Sequence, residues 1–370
     1  MKFLLISPKN RTVYNFRGNL IKDIINKGYE VIVTGPDEVD VDKICALGVS
    51  FRKIPMNKNG TNILKDIGYC RKLIKLVKEE KPNVVLGYTV KPVVYGTIAA
   101  KLGGVKNINC MITGAGYTFT VTTLKARFLG MIVRMLYRVS LGCANQVIFQ
   151  NNDDLKEFVE RKLVSKGKCH VVHGSGVDMT KFKQEDFPNS INFFMLSRLL
   201  KSKGVNEYLK AAEIIKQKYP DVNFTLLGKY ETSMQDAIDS TYVEKLIDKG
   251  VVKRYDETSD VRPFYKQCSV YVLPSYREGT PRTVLEAMAT GRPIITTDTN
   301  GCRDTVEDEK NGFLVPVKNV EKLAEKMEEF IKHPDLIFDM GRESYHLCCE
   351  KYDVIKVNKN MLKIMMMEEK

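Results

Sequence analysis

Two glutamates, Glu278 and Glu286, lie close together in the stretch "PSYREGTPRTVLEAMATGRP" (274–293). Glu278 precedes a Gly-Thr-Pro turn, and Glu286 lies within an apolar segment of helical character. A carboxylate in such a segment is costly to bury unless it accepts hydrogen bonds. Two vicinal hydroxyl groups, as on a ribose, are suitable donors for it. The competing interpretation makes Glu286 an ordinary helix-surface residue and Glu278 a solvated loop residue.

The turn between the two glutamates predicts an anion site. Thr280 suits the N-cap of the following helix, and Pro281 suits its first position, where a missing N–H costs nothing. Gly279 and Thr280 would then present backbone N–H groups at the positive end of the helix dipole. At a rise of 1.5 Å per residue, Glu286 lies roughly 8–9 Å along the helix, about where the ribose of a bound nucleoside diphosphate would be.

A pair of cations follows an earlier apolar strand. The stretch "SRLLKSKGV" (197–205) places Arg198 and Lys203 on a predicted loop between a strand and a helix. Two cations there can neutralise a diphosphate whose negative charge grows as it departs. A solvated basic loop is the alternative, and it suits Arg198 less because that residue directly follows an apolar strand.

The elements that position these residues alternate between short β-branched runs and helical stretches. Predicted strands lie at 2–7, 29–35, 83–88, 107–113 and 145–151 and then at 192–197, 223–228, 269–274 and 292–298. This alternation predicts parallel sheets covered on both faces. Because open parallel sheets bind ligands at the carboxyl ends of their strands, we predict an α/β fold with two doubly wound Rossmann-like domains facing a central cleft.

The predicted domain boundaries follow a polar stretch at 181–192, which separates the two series of strands. The first domain is predicted over 1–184 and the second over 185–335. Residues 336–370 are predicted to be helical and to pack back on the first domain.

The composition is typical of a globular protein of the cytoplasm. Nine cysteines show no paired spacing and are expected to be reduced thiols, and the four histidines form no metal-ligand array, so no metal is expected. The N-terminal run "KFLLIS" is predicted to be a strand rather than a signal peptide, and no stretch is long enough to span a membrane. The net charge of +13 comes without a nucleic-acid-binding motif, so we expect no nucleic-acid partner.

The stretch 274–293, the Arg198-x4-Lys203-Gly204 loop and "GCRDTV…NGFLV" (301–315) together resemble the donor-binding domain of family 4 retaining glycosyltransferases, which have the GT-B fold. The Glu-x7-Glu motif is the most specific mark of this family. The resemblance implies that the second glutamate binds the ribose of a nucleotide sugar. The first would contact the donor sugar or its phosphate, and the Arg/Lys pair would hold the diphosphate.

The residue sets that follow from this resemblance are larger than the motif itself. The implied catalytic set is Arg198, Lys203 and Glu278. The implied donor-binding set is Gly18, Arg198, Lys203, Glu278, Gly279, Thr280, Pro281 and Glu286. A nucleotide sugar, UDP-linked, is then the substrate, and no cofactor is required.

Two stretches of the first domain, "GYTVKPVVYG" (87–96) and "NCMITGAGYTF" (109–119), resemble one subgroup of this family. Its members add a sugar to an undecaprenyl-diphosphate-linked saccharide in O-antigen, capsule or N-glycan assembly, and some are N-acetylgalactosaminyltransferases. The acceptor-side candidates are Arg17, Tyr88, Lys91, Thr113 and Tyr117. For Lys91 a solvated loop lysine is the alternative. Members that assemble N-glycans carry an acidic residue where this chain has Thr113, so no acid assists catalysis at that position here.

A basic amphipathic helix is predicted at 122–142, where apolar residues recur at helical spacing between lysine and arginine residues. Such a helix can lie on an anionic membrane surface. The alternative is a core helix of the first domain with its basic residues toward solvent. With a polyprenyl acceptor, the predicted location is peripheral, at the inner face of the cell membrane.

The predicted reaction is the transfer of a hexose or N-acetylhexosamine to a polyprenyl-diphosphate saccharide with retention at the anomeric carbon. Two other functions remain open. A nucleotide-sugar 2-epimerase of the same fold would release an epimer from the UDP-sugar alone. A non-enzymatic basic protein that binds membranes or RNA would not turn over a donor, and its binding would depend steeply on salt.

Overall fold

The structure is a computed structural model that describes residues 1–57, 62–114, 124–231, 234 and 236–367. The chain forms two compact units, which we call the first unit (Met1–Ser175 with Ile355–Lys370) and the second unit (Gly176–Val354). Each is built on one parallel sheet, so the prediction of two Rossmann-like α/β domains is confirmed. Among the described residues, every helix is too short or too polar to cross a bilayer.

The first unit contains a seven-stranded sheet in the order β3-β2-β1-β4-β5-β6-β7. Its strands are β1 (Lys2–Ile6), β2 (Glu30–Gly35), β3 (Ser50–Lys53), β4 (Val84–Tyr88), β5 (Asn107–Ile112), β6 (Gln146–Phe149) and β7 (Cys169–Val171). The central strands are apolar on both faces because helices cover both sides. The strand order reverses between β1 and β4, which is the switch point where open α/β sheets bind ligands.

The helices of the first unit before residue 175 connect these strands. They are α1 (Asn10–Phe16), α2 (Gly18–Asn26), α3 (Val41–Cys45), α4 (Ile63–Glu80), α5 (Thr97–Leu102), α6 (Leu124–Cys143) and α7 (Asn152–Glu160). A π-helical turn, Pro92–Gly96, leads from β4 into α5. The side chains of Asn62 and Asn151 cap α4 and α7, since each accepts a backbone N–H of the first turn.

The second unit contains a six-stranded sheet in the order β10-β9-β8-β11-β12-β13. Its strands are β8 (Asn192–Leu196), β9 (Asn223–Leu227), β10 (Lys253–Tyr255), β11 (Val270–Leu273), β12 (Ile294–Thr297) and β13 (Gly312–Val315). Its helices are α8 (Val205–Lys218), α9 (Ser240–Asp248), α10 (Arg262–Lys266), α11 (Arg282–Ala289), α12 (Val320–Lys332) and α13 (Asp335–Leu347). Here the switch point lies between β8 and β11.

The boundaries of the units differ from the predicted residues 184 and 336. Val177 pairs with the segment before residue 355, since its N–H donates to Tyr352 O at 2.7 Å and its carbonyl accepts from Val354 N at 3.0 Å. Phe182 lies in the core of the second unit, so the residues that follow Ser175 belong to that unit. The polar composition of 181–192 is typical of a linker, so the sequence showed no sign of these contacts and the predicted boundary was placed too late.

The C-terminal segment divides between the two units. Helix α13 packs into the second unit, where Ile337, Met340 and Leu347 are buried in its core. The last helix, α14 (Val354–Ile364), belongs with the first unit, and Met361 lies in the core there. The predicted return to the first domain therefore begins at residue 355.

Candidate active site

Two loops at the switch point of the second unit lie against each other. The loop after β11 donates two hydrogen bonds to Ser202 O, from Tyr276 N at 2.9 Å and from the Ser275 hydroxyl at 3.2 Å. Gly204, at φ +73°, makes this approach possible, because a Cβ there would lie 2.0 Å from Pro274 O. The structure thus joins the turn that carries Lys203 to the loop that carries Glu278.

Lys203 and Glu278 form an ion pair. Lys203 Nζ donates to Glu278 Oε1 at 2.5 Å, and the Ser275 hydroxyl donates to the same oxygen at 2.8 Å. The two charged side chains are only 21% and 16% exposed. The competing interpretations required both residues to be solvated loop residues, and this low exposure contradicts them.

Gly301, which follows β12, supports the Glu278–Gly279 turn from the other side. Its φ is +74°, and a Cβ would lie 2.3 Å from Gly279 O and 2.4 Å from Glu278 O. The neighbouring carbonyl of Asn300 accepts a hydrogen bond from Glu278 N at 3.0 Å. Our sequence analysis gave Gly301 no role, although an Asn-Gly pair after a strand is a turn signal.

Glu286 belongs to helix α11, and most of its side chain is shielded from solvent. Its Oε2 accepts from the Tyr265 hydroxyl at 3.1 Å and its Oε1 from Arg282 Nε at 3.2 Å, and its side chain is 12% exposed. Burial raises the pKa of the Glu286 carboxyl, and the charge of Arg282 opposes that shift only in part. The interpretation of Glu286 as an ordinary surface residue is therefore wrong.

The start of α11 differs from the prediction by one residue. The helix begins at Arg282, and Pro281 occupies the N-cap with φ −72° and ψ 108°. Its carbonyl accepts hydrogen bonds from Val284 N at 3.0 Å and from Leu285 N at 3.3 Å. The Thr280 hydroxyl donates to Gly279 O at 3.0 Å instead of capping the helix. The end is as predicted, with Gly291 in the left-handed region at φ +75°.

Arg198 lies directly after β8 with an exposed side chain. Its Nη1 lies 3.6 Å from Met234 Sδ, and the next residue, Leu199, donates its N–H to Lys229 O at 3.1 Å. A β-bridge between Leu199 and Tyr230 fixes this loop further. Arg198 therefore stands at the same carboxyl edge of the sheet as the loop after β11, as predicted.

Two acceptor-side candidates of the first unit lie at its switch point. The Tyr88 hydroxyl, at the end of β4, donates to Ser7 Oγ at 2.8 Å, while Thr12 Oγ1 lies 2.8 Å from the same hydroxyl. The Arg17 guanidinium lies 5.2 Å from the centre of the Tyr88 ring, and its side chain is buried. Gly18, the first residue of α2, is also buried.

Lys91 pairs with Asp66 of α4. Its Nζ lies 2.5 Å from Asp66 Oδ1, and the two side chains are 12% and 11% exposed, which excludes a solvated loop lysine. Thr113 is half-buried directly after β5. Tyr117 lies outside the described residues. Across the described ranges, no group of three or more His, Cys, Asp or Glu side chains could hold a metal ion.

Two family models together match most of the chain. Residues 2–151 match the model described as "Glycosyl transferase 4-like", and residues 178–346 match "Glycosyl transferases group 1". The fold is shared with a glycosyltransferase from Rickettsia africae, with a TM-score of 0.80 at 18% identity over 98% of this chain and 97% of that chain. It is also shared with HepE from Anabaena in complex with UDP, with a TM-score of 0.78 at 17% identity over 99% and 100% of the two chains.

Curated relatives extend over most of the chain. An N,N'-diacetylbacillosaminyl-diphospho-undecaprenol α-1,3-N-acetylgalactosaminyltransferase from Campylobacter jejuni is 26% identical over 93% of both chains. A UDP-Gal:α-D-GlcNAc-diphosphoundecaprenol α-1,3-galactosyltransferase from Escherichia coli is 28% identical over 72% of this chain and 71% of its own. The capsular polysaccharide glycosyltransferase CapM from Staphylococcus aureus is 27% identical over 78% and 77%. The chain thus carries a 4-like and a group 1 glycosyltransferase domain, each on a Rossmann-like sheet, and it belongs to the glycosyltransferases of the GT-B fold.

Proposed function

We propose that this glycosyltransferase moves a hexose or N-acetylhexosamine from a UDP-sugar to an undecaprenyl-diphosphate-linked saccharide, with retention at the anomeric carbon. The product would serve the assembly of a bacterial surface polysaccharide or glycan. The names of the Campylobacter and Escherichia relatives support this acceptor class. The UDP bound to the Anabaena protein of the same fold supports the donor class.

The buried Glu286 carboxylate carries this proposal. It lies within a helix whose preceding loop carries Glu278, the ion-pair partner of Lys203, and its pKa is raised by burial. A buried carboxylate gains most from donors that reach it as a pair, and the two hydroxyls of a ribose provide them. Nucleotide binding would therefore stabilise the charged form of a group that burial disfavours.

The chemistry follows from the charges around the donor diphosphate. The bond between the anomeric carbon and the diphosphate oxygen breaks, and the acceptor hydroxyl oxygen bonds to that carbon from the same face. The hydroxyl proton passes to an oxygen of the departing phosphate. Lys203 would leave Glu278 to bind this diphosphate together with Arg198, so that fixed cations stabilise the growing charge. No metal and no separate protein base are required for this route.

Exposed apolar and basic side chains on α6 support the lipid-linked acceptor. Met131, Met135 and Val139 recur every four residues and are 57%, 69% and 52% exposed. Arg134 and Arg138 accompany them along the same helix. Apolar side chains among cations are the composition of a helix that lies on an anionic lipid surface. The side chains of residues 124–129 are outside this description.

The test combines binding with turnover. Thermal unfolding would be followed with UDP, other nucleotides and a panel of UDP-sugars, for the wild type and for Glu286→Ala. We expect UDP and one UDP-sugar to raise the unfolding temperature, and the substitution to weaken this effect. Incubation with the stabilising UDP-sugar and an undecaprenyl-diphosphate saccharide should then give a lengthened, α-linked product. An epimer formed from the UDP-sugar alone would favour the epimerase, and no nucleotide effect and no turnover would favour a binding protein.

A further inference from the structure

Thr89 has a backbone conformation that a β-branched residue rarely adopts. It follows β4 directly, and its φ of +67° lies in the left-handed region. In the part of the chain that the structure describes, the non-glycine residues with positive φ are Asp40, Lys81, Thr89, Lys162, Glu309, Lys318 and Met366. Only Thr89 among them is β-branched. Lys81, Lys162 and Met366 follow helix ends, where a left-handed residue is an ordinary way to stop a helix.

The surrounding backbone holds Thr89 in this conformation. Its N–H donates to Met111 O at 3.2 Å, and its carbonyl accepts from Val93 N at 3.0 Å. The turn is tight, because a Cβ at Gly87 would lie 2.7 Å from Pro92 O. Several independent contacts thus fix the backbone of this turn. A strained residue persists in a folded protein when its surroundings hold it in this way. A glycine at position 89 could make the same two backbone hydrogen bonds without steric strain.

The side chain of Thr89 forms no hydrogen bond in the described ranges that would offset this strain. Its hydroxyl is half-buried and forms no hydrogen bond with any residue of the described ranges. The side chains on either side are bonded, Tyr88 to Ser7 and Lys91 to Asp66. Strained residues cluster at active sites and ligand-binding turns, so a strained residue whose side chain forms no hydrogen bond within the fold is a candidate for binding a ligand.

The position of Thr89 in the sheet points to the same conclusion. It stands at the carboxyl end of β4, beside β1, where the strand order of the first unit reverses. Ligands of open parallel sheets bind at this point. Two cations lie along the adjoining segments, since Arg17 stacks on the preceding Tyr88 and Lys91 follows two residues later. A threonine hydroxyl at this edge is suited to donate to a phosphate oxygen, which is a charged acceptor.

We propose that Thr89 binds the acceptor, its hydroxyl donating a hydrogen bond to a phosphate oxygen of the polyprenyl diphosphate. This assignment rests on the proposed function, in which the acceptor carries that diphosphate. The strained turn holds the hydroxyl in place before the acceptor arrives, which reduces the entropy lost on binding.

Three substitutions distinguish the contribution of the Thr89 hydroxyl to acceptor binding from that of its branched side chain. Thr89→Ser keeps the hydroxyl and should change acceptor affinity by less than about twofold. Thr89→Val keeps the branched shape without the hydroxyl and should weaken it about tenfold, as expected for the loss of a hydrogen bond to a charged group. Thr89→Gly should show the same loss with an unfolding temperature equal to or above that of the wild type, because it relieves the strain.

The measurement is calorimetric titration of each variant with farnesyl diphosphate, a short and soluble polyprenyl diphosphate. This readout needs no turnover, so it is independent of whether the donor or the saccharide has been assigned correctly. The stabilisation by UDP should be the same in all variants. The acceptor KM, measured with the lipid-linked saccharide, should rise in Thr89→Val while the donor KM does not change.

Three results would overturn the assignment to Thr89. One is equal affinity of the wild type and Thr89→Val for farnesyl diphosphate. A second is a wild type that does not bind this ligand at all, which would leave the donor-site proposal standing if UDP still stabilises the enzyme. The third is a Thr89→Gly variant whose unfolding temperature falls by several degrees, since that would show that the side chain supports the fold.

Discussion

Lys203 Nζ and Glu278 Oε1 lie 2.5 Å apart, so the cation expected to receive the leaving diphosphate has an anionic partner within the protein. The Ser275 hydroxyl holds the same carboxylate oxygen at 2.8 Å. The ion pair holds the lysine at the carboxyl edge of the sheet, where the donor diphosphate is expected to bind. Lys203 therefore loses little further side-chain freedom when it binds the diphosphate.

We expect Lys203→Ala to slow sugar transfer on the order of 100-fold, because it removes a fixed cation from the departing charge. Lys201→Ala is the matched control, since Lys201 is an exposed lysine of the same turn, and it should retain wild-type rates. The measurement is kcat at saturating UDP-sugar and acceptor. A Lys203→Ala enzyme with unchanged kcat and a raised donor KM would mean that Lys203 only binds the donor.

The raised pKa of Glu286 predicts an opposite pH dependence of stability and of nucleotide binding. A carboxyl whose pKa is higher in the folded state than in the unfolded state favours folding when it is protonated. Its contribution is therefore most favourable at low pH and is lost as the pH rises through the folded pKa. We expect Glu286→Gln to raise the unfolding temperature of the ligand-free enzyme, and more so at pH 7.5 than at pH 5.

UDP binding should follow the reverse trend, because the ionised carboxylate accepts from the ribose hydroxyls more strongly than the protonated carboxyl group does. UDP affinity of the wild type should rise with pH through the same range, while that of Glu286→Gln should be weaker by about tenfold and less dependent on pH. Calorimetric titration at several pH values gives both quantities. A ribose assignment for Glu286 fails if the wild type and the variant show the same affinity at pH 7.5.

Much of the second unit could be predicted because its site is local in sequence. Glu278 and Glu286 lie on one strand-loop-helix segment, and the apolar strands before them fix where that segment begins. The partners that bury Glu286 could not be predicted in this way. Tyr265 belongs to the preceding helix, and nothing in its surroundings distinguishes it from a core tyrosine. The error at Pro281 has a similar origin, since a proline can occupy either of two adjacent positions at a helix start.

The first unit shows the limits of the same reasoning more clearly. The prediction that Lys91 contacts the acceptor stays open, but its ion pair with Asp66, 25 positions earlier, could not be foreseen from the sequence. Such pairings depend on how α4 packs beside the turn after β4, which periodicity does not report. The strain at Thr89 is also invisible in sequence, because threonine is an ordinary residue at the end of a strand.

Gly301 offers a test of how closely the Glu278 turn is supported. Gly301→Ala places a Cβ within 2.4 Å of two carbonyl oxygens of that turn, and it also strains a backbone at φ +74°. Gly250→Ala is the matched control, because its φ is +67° but nothing lies within 4 Å of the added Cβ. We expect the control to lose roughly 1 kcal/mol of stability with normal kinetics.

Gly301→Ala should lose more stability than the control and should also raise the KM for the UDP-sugar, because the displaced turn misplaces Glu278. Chemical denaturation and donor titration give the two numbers. If both glycine variants keep the wild-type KM, the carbonyls of Glu278 and Gly279 can move aside without harm. The turn would then contribute to folding and not to the position of the donor.

The exposed face of α6 predicts binding to anionic lipid. Met135→Glu should weaken binding to vesicles that contain phosphatidylglycerol by about tenfold, because it removes an apolar side chain that would enter the lipid and adds a charge that the anionic lipid repels. Arg134→Gln should weaken it about fivefold, the effect of losing roughly 1 kcal/mol of attraction to the surface. Val39→Glu is the control, since Val39 is an apolar side chain of the first unit with comparable exposure, 66% against 69% for Met135.

Co-sedimentation at low and physiological salt distinguishes the two contributions. The loss in Arg134→Gln should shrink as salt screens the surface charge, while the apolar part of the loss in Met135→Glu should persist. Transfer to a short, soluble acceptor should be normal in both variants, because neither residue is placed at a reacting group. Equal vesicle binding by Met135→Glu, Val39→Glu and the wild type would assign α6 to an ordinary solvent-facing role, and the lipid-linked acceptor would have to be reached through another surface.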